Sequence, residues 1–129
     1  LLDGSIFLRL MRHQPISSSV LQEIDQSAPR LFLSVVSTWQ LLMQERAGLE
    51  TLPKPVLMIL SGERSILVLQ TLPLQEDCLQ HLNRLPDLQF SPFDQLLVCQ
   101  ALQNGFRLAS EQPIFQSQVL LQLGLQVVH

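Results

Sequence analysis

Short apolar runs alternate along this chain with apolar positions spaced three and four apart. Leu1-Leu2 is the end of an apolar strand that stops on Asp3, and Leu31-Leu33, Ile66-Leu69, Phe106-Ala109 and Leu125-Val128 are further runs of strand length. Between them lie helical patterns. Ile6 to Met11 is a short helix that Ser5 can cap, closed at Gln14-Pro15, and Val20 to Gln26 is a second, broken at Ala28-Pro29. Val36, Trp39, Leu42 and Met43 place a helix from Ser34 to its stop at Gly48. Pro53 and Pro55 feed another helix over Val56 to Leu60, which Ser61-Gly62 ends. Leu74, Cys78 and Leu82 lie on a helix between Pro73 and Pro86, and Pro113 opens a last helix through Val119 and Leu123.

The strongest local signal runs from Ser91 to Ala109. Ser91 is an N-cap, Pro92 suits the first helical position, and Phe93, Leu97 and Ala101 share one face. Asn104-Gly105 supplies the residue that tolerates positive φ, and the strand follows at once. Asp94 falls in the first turn, where the helix dipole favours a negative charge. Strand and helix alternating in this way predict right-handed crossovers. The expected fold class is α/β: a three-layer α/β/α sandwich with a central, mainly parallel five-stranded sheet. At 129 residues, with no repeat and no long linker, residues 1–129 read as a single domain.

Composition narrows the function. The net charge of −3 provides no global basic field for nucleic acid. The longest apolar runs fall short of a membrane span, so no membrane partner is expected. Leu1 in place of an initiator Met predicts that some residues precede it. Cys78 and Cys99 have no metal-knuckle or redox spacing and read as core thiols of a reducing cytoplasm. His13, His81 and His129 share no ligand spacing.

In open parallel sheets, ligands bind beyond the carboxyl ends of the strands. Asp3, Gln40, Asp94 and the run Ser110-Glu111-Gln112 all converge there on this reading. The same segments resemble the PIN-domain family, most closely its VapC-like toxin branch. The matching residues are Leu1-Leu2-Asp3, Ser34-Val35-Val36-Ser37-Thr38-Trp39-Gln40 with Arg46-Ala47-Gly48, Ser91 to Ala101, and Leu108 to Gln112. The resemblance spans nearly the whole length and is most specific in the Ser91–Ala101 segment; the stretch between Pro53 and Ile66 is short for the family.

The resemblance implies a metal-dependent endoribonuclease, often paired with an antitoxin or other protein partner and often a homodimer, acting on RNA with Mg²⁺ or Mn²⁺ held by acids. Asp3 and Asp94 keep the first and third acids and are the implied metal ligands. Gln40 stands where the family has Glu, Gln112 where it has the last Asp, and Ser91 where it has an additional Asp. Two unit charges about 4 Å apart interact by roughly 4 kcal/mol at an effective dielectric near 20, so two lost carboxylates remove much of a dication's attraction. Asp3 and Asp94 with substrate phosphates suit one weakly held ion. Glu111 is the nearest replacement acid, although a residue adjacent to the expected position points the other way along a strand. Two functions follow: a weakened or inactive VapC-type ribonuclease in which Asp3, Asp94, Gln40 and Gln112 form the site, or a pseudo-nuclease serving as a protein- or RNA-binding or assembly module. Trp39, Phe93 and Phe115 read as core, Ser5 and Ser37 as caps, and Arg46 and Arg107 as solvated or paired charges.

Overall fold

In a computed structural model of the chain, residues 1–27, 30–48, 54–66, 69–85 and 90–129 are described. The expected breaks at Ala28-Pro29, Pro53 and Pro86, and the strand positions Leu67 and Val68, lie outside them. The elements in order are α1 (Gly4–Met11), α2 (Ser18–Ser27), β1 (Leu31–Ser34), α3 (Val35–Arg46), α4 (Val56–Ile66), β2 (Leu69–Leu72), a 3₁₀ helix (Glu76–Arg84), α5 (Pro92–Asn104), β3 (Arg107–Ala109), a 3₁₀ turn (Pro113–Gln116), α6 (Gln118–Gln122) and β4 (Gln126–Val128).

Helix outweighs strand, and the expected sandwich around a central five-stranded sheet is not what forms. Among the described residues there are two two-stranded parallel sheets, β1 with β2 and β3 with β4. Between them Leu2 makes isolated parallel bridges to Leu33 and to Ala109. The cause is local. Asp3 is already the N-cap of α1 and Ser34 the N-cap of α3, so each capping residue ends the extended segment before it. The first apolar segment is thereby cut to a single bridging residue. Its backbone is still paired on both sides, Leu2 N donating to Phe32 O at 2.9 Å and Ala109 N donating to Leu1 O at 2.8 Å.

Other boundaries move for similar reasons. Gly62 does not stop α4, which continues to Ile66, and the strand behind it shifts to Leu69–Leu72. An isolated glycine costs a helix only about 1 kcal/mol relative to alanine, which packing can outweigh. The segment after Pro73 becomes a 3₁₀ helix, and the segment from Pro113 divides at Ser117 into a 3₁₀ turn and α6. Helix α5 keeps its expected ends: the Ser91 hydroxyl accepts from Asp94 N, and Gly105 takes the left-handed conformation at φ 65°.

Buried side chains form two cores. One gathers Leu2, Ile6, Phe7, Val20, Leu33 and Leu60; the other gathers Val98, Leu108, Phe115, Leu120 and Leu125. Phe115 is fully buried, as a core aromatic should be, but Trp39 is 53% exposed. It stands on the outer face of α3 with Val35 and Met43, also exposed, and meets Phe93 edge-on at a centroid distance of 4.8 Å. The sequence reading groups Trp39 with Val36, Leu42 and Met43, and of these only Val36 is buried. The opposite face, through Val36, Ser37 and Leu41, is the buried one. Ser37 and Leu41 lie where α1 approaches, near enough that a Cβ at Gly4 would touch both at 3.8–3.9 Å.

Candidate functional site

Asp3, at the end of the first extended segment, is 1% exposed. Its Oδ1 accepts from the backbone N of Ile6 at 2.8 Å and from the Ser5 hydroxyl at 2.9 Å. Asp3, and not Ser5, is therefore the cap of α1, and Ser5 supports it. Its Oδ2 accepts from the Ser110 hydroxyl and from Gln112 Nε2, the latter at 2.9 Å. Ser110 in turn accepts from the backbone N of Gln112 at 3.1 Å, a short-range contact that turns the chain after β3 back toward Asp3. A carboxylate offers about four lone-pair directions, and four protein donors meet this one.

Asp94, half-buried in the first turn of α5, is the second acid of the site. Burial raises its carboxyl above the ordinary value of 3.8, the Ser91 hydroxyl opposes that shift, and the charge of Asp3 adds to it. The two acids thus face one region and repel. A raised carboxyl binds its proton more tightly when folded than when unfolded. Its contribution to stability is complete below pH 3.8 and is lost as pH rises through the raised value. At neutral pH the Asp94 charge is therefore a liability to the fold. Asp94→Asn should melt at a higher temperature than the parent at pH 7, and the gain should vanish in melts below pH 4. A parent that is the more stable at pH 7 would show that the capping environment outweighs burial.

The four site residues expected from the sequence are not all together. Asp3 and Gln112 are in direct contact, and Asp94 interacts with Asp3 through its charge. Gln40 is not one of Asp3's hydrogen-bond partners. It lines a shallow groove of about 240 Å³ with Met43, Gln44, Ala47 and Phe93. Glu111 points away, as the strand alternation predicts. It pairs with Arg9, and its Oε1 accepts from Ser17 N at 2.6 Å, tying α1 to the start of α2. It does not replace the lost acid. Arg107 likewise is paired, with Glu23 at 3.2 Å.

A second buried polar cluster lies at the ends of β1 and β2. Gln100, 1% exposed on α5, accepts from the Ser34 hydroxyl and donates Nε2 to Pro73 O at 3.2 Å. Ser34 meanwhile accepts from Val36 N at 3.0 Å. Sequence reasoning missed this role of Gln100. The available signal was a glutamine set in the apolar run Leu97-Val98-Cys99-Gln100-Ala101, all of it buried. Cys78 and Cys99 are buried free thiols, and burial pushes Cys99 up to about 11.

Among the described residues no group of three or more His, Cys, Asp or Glu side chains is placed to hold a metal ion. The donors around Asp3 carry the same message. A dication requires free lone pairs, and here hydroxyl, amide and backbone hydrogens occupy them. The residues present do not fit Mg²⁺ or Mn²⁺. What they do is hold a buried carboxylate by neutral donors and so lock α1 to the segment after β3. No protein-family model matches the chain, and no curated protein matches it in sequence.

Proposed function

We propose that this chain is a silenced relative of the PIN-domain ribonucleases that works as a binding module, with a protein as its partner. The observation that carries the reading is the neutral closure of Asp3. The carboxylate implied as the first metal ligand is filled by Ser5, Ile6, Ser110 and Gln112, and Asp94 is left as a lone second acid. On this reading Asp3 does not hold the metal that would activate water for attack on a phosphodiester.

The surface favours a protein partner over RNA. The net charge is −3, and α3 exposes Val35, Trp39 and Met43, with Met43 and Phe93 lining the groove that also holds Gln40 and Gln44. Among the described residues no helix is long and apolar enough to cross a membrane. On this reading the chain acts in the cytoplasm, with Cys78 and Cys99 kept as thiols.

The test is cleavage of a mixed single-stranded RNA pool in excess Mn²⁺, with the parent beside Asp94→Asn and the double variant Gln40→Glu, Gln112→Asp. The expected result is no cleavage by the parent or by Asp94→Asn. Cleavage by the parent that Asp94→Asn abolishes would overturn the reading and leave a ribonuclease working with two acids. Cleavage by the double variant alone would add direct support for nuclease ancestry.

A further inference from the structure

We infer that Gln112 is the residue that keeps divalent cations out of the Asp3–Asp94 centre, its carboxamide nitrogen standing where an ion would bind. The inference deepens the proposed silencing by assigning it to one side chain. Asp3's donors differ in kind. Ile6 N and Ser5 are local to the start of α1, three and two residues from Asp3, and cap the helix whatever else the carboxylate does. Ser110 donates to Oδ2 while accepting from Gln112 N, so its hydroxyl belongs to the turn after β3. Gln112 alone reaches Asp3 with a long side chain, 109 residues away in sequence, and Nε2 also lies 3.5 Å from Ser5 Oγ. A carboxamide nitrogen brings two N–H donors to a carboxylate and has no lone pair to share with a metal. It supplies positive partial charge to Asp3 and closes the oxygen that would coordinate.

The conservative exchange at this position inverts that logic. Gln112→Glu keeps the length and shape of the side chain but sets a carboxylate oxygen against Asp3 Oδ2, where Nε2 now sits at 2.9 Å. Asp3, Asp94 and the new acid then repel one another, and a divalent cation relieves the repulsion. Gln112→Met keeps the volume, removes the donor and adds no charge, so it separates removal of the excluding amide from the gain of a third acid.

The experiment is thermal unfolding of the three proteins at pH 7 in EDTA, then in rising MnCl₂, with KCl at matched ionic strength as control. The parent's midpoint should not move with Mn²⁺. Gln112→Glu should melt lower in EDTA and recover by about 5 °C or more in saturating Mn²⁺, as expected for a ligand that binds only the native state. Gln112→Met, which lacks the excluding amide, should melt lower in EDTA and recover part of that loss in Mn²⁺. A parent midpoint that rises with Mn²⁺ but not with K⁺, and does not rise in Asp3→Asn, would overturn the inference. So would a folded Gln112→Glu indifferent to Mn²⁺. If Gln112→Glu fails to fold, Mn²⁺ broadening of amide resonances decides on the parent and Gln112→Met. Broadening at Ile6 and Ser110 in the parent overturns the inference. Its appearance in Gln112→Met alone, where only the amide is missing, supports it. Ion binding is the readout throughout, so this test and the cleavage test fail separately.

Discussion

Asp3→Ala should lower stability by about 3–4 kcal/mol, although an unpartnered surface aspartate costs almost nothing to remove. The substitution first takes away the N-cap of α1, worth about 1 kcal/mol. It then leaves the Ser110 hydroxyl and the Gln112 carboxamide facing a cavity. Each buried donor without a partner costs about 1–3 kcal/mol. Relief of the buried charge offsets part of this, since Asp3 no longer has to be desolvated and its repulsion of Asp94 disappears. Asp3→Asn is the informative comparison. Asparagine caps helices as well as aspartate, Ser110 can rotate its hydroxyl to accept, and the Gln112 amide can turn over. That variant should lose about 1 kcal/mol. Urea unfolding midpoints at pH 7 give both values. Equal losses would mean that the charge itself, and not the pattern of donors, holds α1 to the β3 segment.

Gln100→Ala should cost about 3 kcal/mol. Part of the loss is the cavity left by a fully buried side chain of that volume, for which large-to-small exchanges cost about 2–5 kcal/mol. The rest is the Ser34 hydroxyl and Pro73 carbonyl that lose their partner. Ser34→Ala removes the cap of α3 and one contact of Gln100, and should cost about 1–2 kcal/mol. Because Ser34 and Gln100 share one bond, the double variant should lose less than the sum, with a coupling of about 0.5–2 kcal/mol. Strict additivity in denaturant unfolding would show that the two act independently.

The helix-end chemistry of this chain is legible in its residues. Ser91, Pro92 and Gly105 signal the bounds of α5, because caps and positive-φ stops are decided within a few residues. Asp3 and Asp94 are expected as a pair only through the resemblance to the PIN-domain pattern, since nothing local links positions so far apart. The breadth of the sheet is not legible. Leu1-Leu2 reads as part of a strand, but how many of its residues pair depends on where the next cap ends the extension. Ile66-Leu69 illustrates the ambiguity of a short apolar run, which suits a helix end as well as a strand. Here α4 takes Ile66 and β2 begins at Leu69. Trp39 fails for another reason: spacing identifies a stripe but does not say whether the neighbour that would cover it belongs to the same chain. Gln100 was hidden because a polar residue inside an apolar run shows that a partner is needed without naming it.

The position of Leu2 between the two sheets also orders the folding reaction. Residues 1–3 close against partners such as Ser110, 107 positions later, and Arg9–Glu111, Glu23–Arg107 and Ser34–Gln100 are further contacts between the first and last parts of the sequence. A loop of that size must be shut before its contacts yield any gain, so we expect this step to come late and to limit the rate, which Leu2→Ala should slow in stopped-flow refolding. During synthesis, residues 1–3 emerge long before Ala109 and Ser110 exist to receive them. Leu2 and Asp3, both buried in the folded protein, are then without these partners until residues 109 and 110 have been made.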